Sequence, residues 1–224
     1  MFCHVTRGGY LYPVKQLSAM AAKRGVMVGV DGAQAIGMMD VDLHDLGCEM
    51  YANSLHKWFL GPSGTGFLYV RQAVQDRFRS LYVSNKEETQ GASRYETQGT
   101  YDLPTRAALG TSLDFLNRIG ICNIENRLRM LSNYLKDGLQ EIPQVCLLSP
   151  TSPEISSPGS TIFEIEGINL PDWVGLFLDE ANLHVDDHTL DNHRAIRIST
   201  HYYVSIEEID RFLDKLRELI DRYM

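Results

Sequence analysis

The chain has 224 residues, 44% of them hydrophobic, and a formal net charge of -8. That length allows one large domain or two modest ones, with a sizeable core, while the acidic balance and the lack of any basic run argue against a nucleic-acid partner. No apolar run approaches the roughly 20 residues that span a membrane, and the opening MFCHVTRGGYLYP lacks the basic-then-apolar layout of a signal peptide.

The cysteines Cys3, Cys48, Cys122 and Cys146 are scattered and form no CxxC pair. That excludes the common zinc spacings and does not suggest a disulfide framework, so the expected setting is reducing and cytoplasmic. Each cysteine is expected to pack as a small buried hydrophobe.

In chain order, VKQLSAMAAKR (14–24) has apolar residues at helical spacing and meets a stop at Gly25. VMVGVD (26–31) is a short β-branched run that reads as a buried strand. EMYANS (49–54) and GFLYV (66–70) read as further strands. Helix, strand, turn, strand is the rhythm of an open α/β sheet, in which ligands bind outside the carboxyl ends of the strands. Asp31 and Ser54 both fall at such ends.

Residues 84–101 (SNKEETQGASRYETQGTY) are polar and rich in turn formers, and read as a surface loop. Helical patterns resume from Leu103 and again from about Ile124 to Leu139. SPTSPEISSPGS reads as a connection, TIFEIEG as a strand, Pro171 to Asn182 as a helix and RAIRIST as a strand. SIEEIDRFLDKLRELI is the clearest helix: Ser205 and Glu208 form a capping box ahead of an apolar face. The pattern divides into residues 1–114, a mostly parallel α/β part, and residues 115–224, a smaller α+β part.

Two residues pose chemical questions. A carboxylate at Asp31, closing a buried strand, needs a partner; it either caps a helix opened by DGAQA or meets a cationic ring nitrogen. Lys57 stands between His56 and the aromatics Trp58 and Phe59. It is either a surface lysine beside a capping histidine, or an amine whose apolar cover keeps it neutral enough for base or Schiff-base work.

Asp31, Gln34, the S-x-H-K set Ser54, His56 and Lys57, and the tail Gly61, Pro62, Gly64 and Gly66 together resemble the core motif of the class V aminotransferases. These are pyridoxal-phosphate enzymes of fold type I, and they include cysteine desulfurases and isopenicillin N epimerases. The resemblance implies that Lys57 forms the internal aldimine and then shuttles protons. It implies that Asp31 pairs with the pyridinium nitrogen, that Gln34 bonds near the phenolic oxygen, and that Ser54 and His56 bind the phosphate. The glycines would turn the chain into the next strand; with no GKS or GKT after them, they are not a P-loop.

CHVTRGGYLYPV resembles the family segment that supplies a polar contact to cofactor or substrate, with Thr6 as a cofactor candidate and His4 as a substrate candidate. ETQGTYDLPTRAALGTSLDFL resembles a segment of the isopenicillin N epimerase-like branch that crosses a homodimer interface. It implies that Thr100 reaches the partner's cofactor phosphate; read by itself, Thr100 is an ordinary loop threonine. RAIRISTHYYVSIEEID resembles the family's carboxylate-binding segment. There Arg197 would hold the α-carboxylate of an amino-acid substrate, with Arg194 as competitor and a surface ion pair as the plain alternative.

The chain also departs from the family. Desulfurases use a thiolate shortly before the carboxylate-binding arginine, but EANLHVDDHTLDNHRAIR contains no cysteine, and only a thiolate attacks the substrate sulfur. The cluster DDHTLDNH holds metal-ligand residue types without organising spacing, and is expected to be a solvated loop with no metal. The resemblance begins near the middle of family members. It therefore lacks the turn that binds phosphate and the residue that stacks on the ring, and this chain alone is expected to bind pyridoxal phosphate weakly or not at all. The competing expectation is a non-catalytic remnant serving dimerisation or regulation. Dehydrogenase and hydrolase readings fail for want of GxGxxG and GxSxG.

Overall fold

The computed structural model describes residues 1–82, 91–97, 99–167, 172–190 and 193–223. Part of the expected 84–101 loop (residues 84–90 and 98), Pro171 at the expected helix start, and Asp191 and Asn192 of the polar cluster lie outside the described residues. The chain forms two units: Met1–His4 with Pro13–Gly120, and Val5–Tyr12 with Ile121–Met224.

The first unit begins with β1 (Phe2–Cys3). α1 (Val14–Ala22) follows Pro13 and buries Val14. β2 (Gly29–Asp31) comes next, then α2 (Leu43–Leu46), β3 (Met50–Ala52) and β4 (Leu68–Val70). The strand order is β1-β2-β3-β4; β1, β2 and β3 are parallel and β4 is antiparallel to β3. β2 is shorter than VMVGVD suggests, because the Val28 N–H goes to the Glu49 carboxylate at 2.7 Å and Val26 and Met27 are exposed. Val14, Val28, Val30, Cys48 and Tyr51 form the core of this unit. α3 (Leu103–Ala107), capped by Asp102, and α4 (Leu109–Ile119) end it.

The second unit is built on α5 (Ile121–Gln140), which buries Leu128, Leu131, Leu135 and Leu139. β5 (Val145–Leu147), β6 (Ser160–Ile165), α6 (Trp173–Ala181), β7 (Asp186–Leu190), β8 (His193–Ser199) and α7 (Ile206–Tyr223) follow. Its sheet order is β5-β6-β8-β7, antiparallel throughout. Phe163, Ile196 and Phe177 pack there with the inner face of α7. The expected capping box is present: the Ser205 N–H donates to Glu208 at 2.8 Å and the Glu208 N–H to the Ser205 hydroxyl at 3.2 Å.

Two expectations are corrected here. DDHTL is not a solvated loop but the edge strand β7, laddered to β8 from Asp186 opposite Arg197. An edge strand needs only one neighbour, so its polar composition hid it. Among the described residues no group of three or more His, Cys, Asp or Glu is placed to hold a metal ion. The cysteines are not uniformly buried either: Cys48 is, Cys122 is exposed, and Cys3 and Cys146 are half-buried. Among the described residues no helix is long and apolar enough to cross a membrane.

Residues 5–12 pack with the second unit. Val5 bridges Leu11 and Tyr10 bridges Ser156. The Ser157 N–H donates to the Gly9 carbonyl at 2.8 Å, and the Ser149 hydroxyl to the Gly8 carbonyl at 2.9 Å. The receiving connection, residues 149–157, is itself held by α5. Lys136, fully buried, donates to the Pro150 carbonyl at 3.1 Å and the Ser156 hydroxyl at 2.5 Å, while Arg129 donates to the carbonyls of Pro153 and Ser156. Burial, with a smaller contribution from Arg129, lowers the Lys136 ammonium to about 8.

Candidate active site

Asp31 is the last residue of β2, in register with Cys3 on one side and Ala52 on the other. One carboxylate oxygen accepts the Ala33 N–H at 2.9 Å. That local bond favours a turn over a helix, and residues 32–38 are turns and bridges with no helix. The helix-cap reading of Asp31 is therefore replaced by an Asx-type turn that sends the chain off the strand end. The carboxylate is half-buried.

Beneath that turn lies a buried polar pair. Tyr51, on β3 and wholly inaccessible, shares a 2.8 Å hydrogen bond with Nδ1 of His4, which is 6% exposed. The two rings meet edge-on at 5.9 Å. Burial pushes the His4 imidazole down to about 4 and the Tyr51 phenol well above its ordinary value. His4 thus sits in the core as a neutral ring bonded to Tyr51.

This sets an acid limit. His4 binds its proton at about 4 when folded and near 6.5 when unfolded. Between those values the unfolded chain holds one more proton, so stability falls as pH falls through the window. The expected loss is about 3 kcal/mol from pH 6.5 to pH 4 at roughly 1.36 kcal/mol per unit. Urea titrations at several pH values check it: His4→Gln should remove that part of the slope, and an unchanged slope would contradict the assignment.

β3 and β4 are joined by residues 53–67, whose stems continue the ladder. The Asn53 N–H donates to the Phe67 carbonyl at 3.2 Å, and the Leu55 N–H to that of Thr65 at 2.9 Å. Inside these rungs a tight turn holds Lys57: its carbonyl accepts the Leu60 N–H at 3.0 Å, and the Gly61 N–H returns to Leu55 at 2.7 Å. Leu55 and Trp58 point into the core, His56 and Leu60 are exposed, and Ser54 and Lys57 are half-buried. Leu60 has a left-handed φ of 57°, a conformation that costs a non-glycine residue about 1–2 kcal/mol and persists only where the surroundings enforce it. In the glycine tail, a Cβ on Gly66 would lie 2.4 Å from the Asn53 carbonyl oxygen, so this glycine serves close strand approach, while Gly64, with a φ of +78°, takes the left-handed turn.

Gln34 connects the two turns. Its side-chain oxygen accepts the Trp58 indole N–H at 2.9 Å. Among the sequence-predicted residues, Asp31, Gln34, Ser54, His56 and Lys57 all belong to the first unit, on the adjoining ends of β2 and β3. The Gln34–Trp58 bond and the His4–Tyr51 floor were not foreseen. Residue types supplied no signal for either, since tryptophan after lysine and tyrosine in a strand read simply as apolar.

The remaining candidates stand elsewhere. Gly99 has a φ of +70°, and Thr100 beside it is exposed. Arg106 of α3 lies over the Tyr101 ring at 3.8 Å. A cavity of about 720 Å³ in the first unit is lined by Asn53, Thr65, Gly66, Tyr101 and Arg106 among others, but not by Asp31, Gln34 or Lys57.

Thr6 and Arg197 belong to the second unit. The Thr6 hydroxyl accepts the Tyr10 N–H at 3.1 Å. Arg197 pairs with the Asp186 carboxylate through Nε at 3.1 Å and through a second, closer contact from its terminal NH₂. The pair is partly solvated and contributes little to stability.

The same order of strands and turns occurs in proteins already characterised. The chain is 32% identical over 244 residues to isopenicillin N epimerase of Streptomyces clavuligerus, covering 97% of this chain and 59% of that one. It superposes on the apo cysteine desulfurase of Thermococcus onnurineus NA1 with a TM-score of 0.85 at 27% identity, covering 98% and 59%. It superposes on a C-DES mutant with glycine covalently linked to the PLP cofactor with a TM-score of 0.82 at 26% identity, covering 96% and 58%. The chain thus spans about three fifths of the relatives it matches. The family model for class-V aminotransferases matches residues 2–212, nearly the whole sequence and every strand and turn described above, and the chain belongs to that family.

Proposed function

We propose that the chain forms the lysine-bearing part of a pyridoxal-phosphate enzyme that acts on an amino-acid substrate, with chemistry of the epimerase type. The observation that carries this reading is the joining of Asp31, Gln34 and Lys57 in one unit through the Gln34–Trp58 hydrogen bond.

The donor set fits the cofactor. Asp31 holds one oxygen in its own turn and has a second for a protonated ring nitrogen. Gln34, its oxygen occupied by the indole, presents the amide nitrogen as a donor. Ser54 and His56 offer a hydroxyl and an imidazole to a phosphate from the same loop as Lys57. When bound, pyridoxal phosphate supplies an electron sink that acidifies the substrate α-carbon. Lys57 would hold the cofactor at its aldehyde carbon, and its Nζ would be the group that takes and returns the substrate α-proton. Arg197 would take the substrate α-carboxylate through its guanidinium fork.

The epimerase-type reading rests on the ETQGTYD segment, the likeness to isopenicillin N epimerase, and residues 180–197, which carry no cysteine. The working form is a cytoplasmic homodimer in which Thr100 serves the partner's cofactor phosphate. The alternative reading is a dimerisation or regulatory module without catalysis.

Titration with pyridoxal phosphate, borohydride reduction and peptide mapping test the proposal. The expected result is a single label on Lys57, abolished in Lys57→Ala. Label on another lysine refutes the assignment; no label at saturating cofactor supports the non-catalytic module.

A further inference from the structure

We propose that Trp58 is a positioning residue: its indole locks the turn carrying Asp31 and Gln34 onto the turn carrying Lys57, and sets which end of the Gln34 amide faces the cofactor. The second half of this inference rests on the pyridoxal-phosphate reading above; the first half does not.

An amide side chain can present either its oxygen or its nitrogen. Beside an ionised phenolic oxygen on a pyridoxal ring, only the nitrogen end would attract; a flip would set oxygen against oxygen. An indole is a donor and nothing else. Bonded to Trp58 Nε1 at 2.9 Å, Gln34 must give its oxygen to the indole, and its N–H₂ is thereby committed to the opposite side. Trp58 is 4% exposed, so a flipped amide would face a buried donor with a second donor. The orientation is enforced from both ends.

The two turns also meet through backbone. A Cβ on Gly37, which closes the Asp31–Gln34 turn, would lie 2.4 Å from the Phe59 nitrogen and 2.6 Å from the Trp58 carbonyl carbon. One contact is a hydrogen bond to the Trp58 side chain and the other is a steric approach to its backbone. A leucine or phenylalanine at position 58 would fill the space but leave Gln34 free to turn.

The experiment uses the two indole N–H signals of the ¹⁵N-labelled chain, which has Trp58 and Trp173 only, assigned with Trp173→Phe. In the absence of cofactor, deuterium exchange at the Trp58 indole should be at least tenfold faster in Gln34→Leu than in wild type. Gln34→Glu, which keeps an acceptor, should retain protection. With pyridoxal phosphate, Trp58→Phe should weaken binding about tenfold, and Gln34→Glu at least as much. An indole signal indifferent to Gln34→Leu overturns the tie. Wild-type binding by Trp58→Phe alongside loss in Gln34→Glu overturns the orienting role. If wild type binds no cofactor at all, the proposed function fails instead, while the indole exchange still decides the tie.

Discussion

Gly32→Ala is expected to be the most damaging single methyl in the first unit. The new Cβ would lie 1.9 Å from the Tyr51 ring and 2.3 Å from its hydroxyl oxygen. That ring cannot swing aside: it is fully buried and its hydroxyl is held by His4 at 2.8 Å. Overpacking commonly costs about 1–3 kcal/mol; with no direction of relief, the expected loss is at the top of that range, about 3 kcal/mol. Because Gly32 follows Asp31 directly, the displacement also falls on the carboxylate. Urea unfolding measures the loss. Gly32→Ala/Tyr51→Leu should recover much of it, because the two changes share one space and their energies do not add. A Gly32→Ala protein as stable as wild type would mean that the ring has room to move.

Gly37→Ala is expected to cost nearly as much, for two separable reasons. Its φ of +86° is unfavourable for any Cβ, and the Cβ meets the backbone of Trp58 and Phe59, which cannot rotate away. Gly64 isolates the first reason: its φ is +78° and nothing lies within 4 Å of its Cβ position. Gly64→Ala should therefore cost about 1 kcal/mol, the left-handed penalty alone, and Gly37→Ala about 3 kcal/mol once overpacking is added. Thermal or urea midpoints compare them. Equal losses would place the turns out of contact. Red-shifted Trp58 emission in Gly37→Ala, in a Trp173→Phe background, would report that the turns had parted.

How much of this was legible in the sequence varies by element and by physical cause. α7 was legible because a capping box and an apolar face mark a helix by local rules alone. β2 and β3 were legible as apolar runs, though the side chain of Glu49 truncates the first and no pattern foretells that. β7 was misread, since two aspartates on an edge strand look like a solvated loop; Asp186 reveals its place only once Arg197 stands opposite it. Residues 31, 34, 54, 56 and 57 stood out through their resemblance to a family motif rather than through periodicity or residue type alone. Their joining did not show, because the Gln34–Trp58 bond spans 24 residues and the His4–Tyr51 bond 47. Contacts between buried polar groups carry no periodicity.

The assignment of residues 5–12 to the second unit has a consequence for how the protein is made. During synthesis the hydrogen-bonding partners of this octapeptide, at 149–157, follow about 140 residues later, as the 141-residue separation between Gly8 and Ser149 marks. At roughly 5–20 residues per second it waits on the order of ten seconds with its glycines and apolar side chains unclaimed. The later unit thus depends on an early segment that must stay unengaged, and loop closure of that length makes its completion slow.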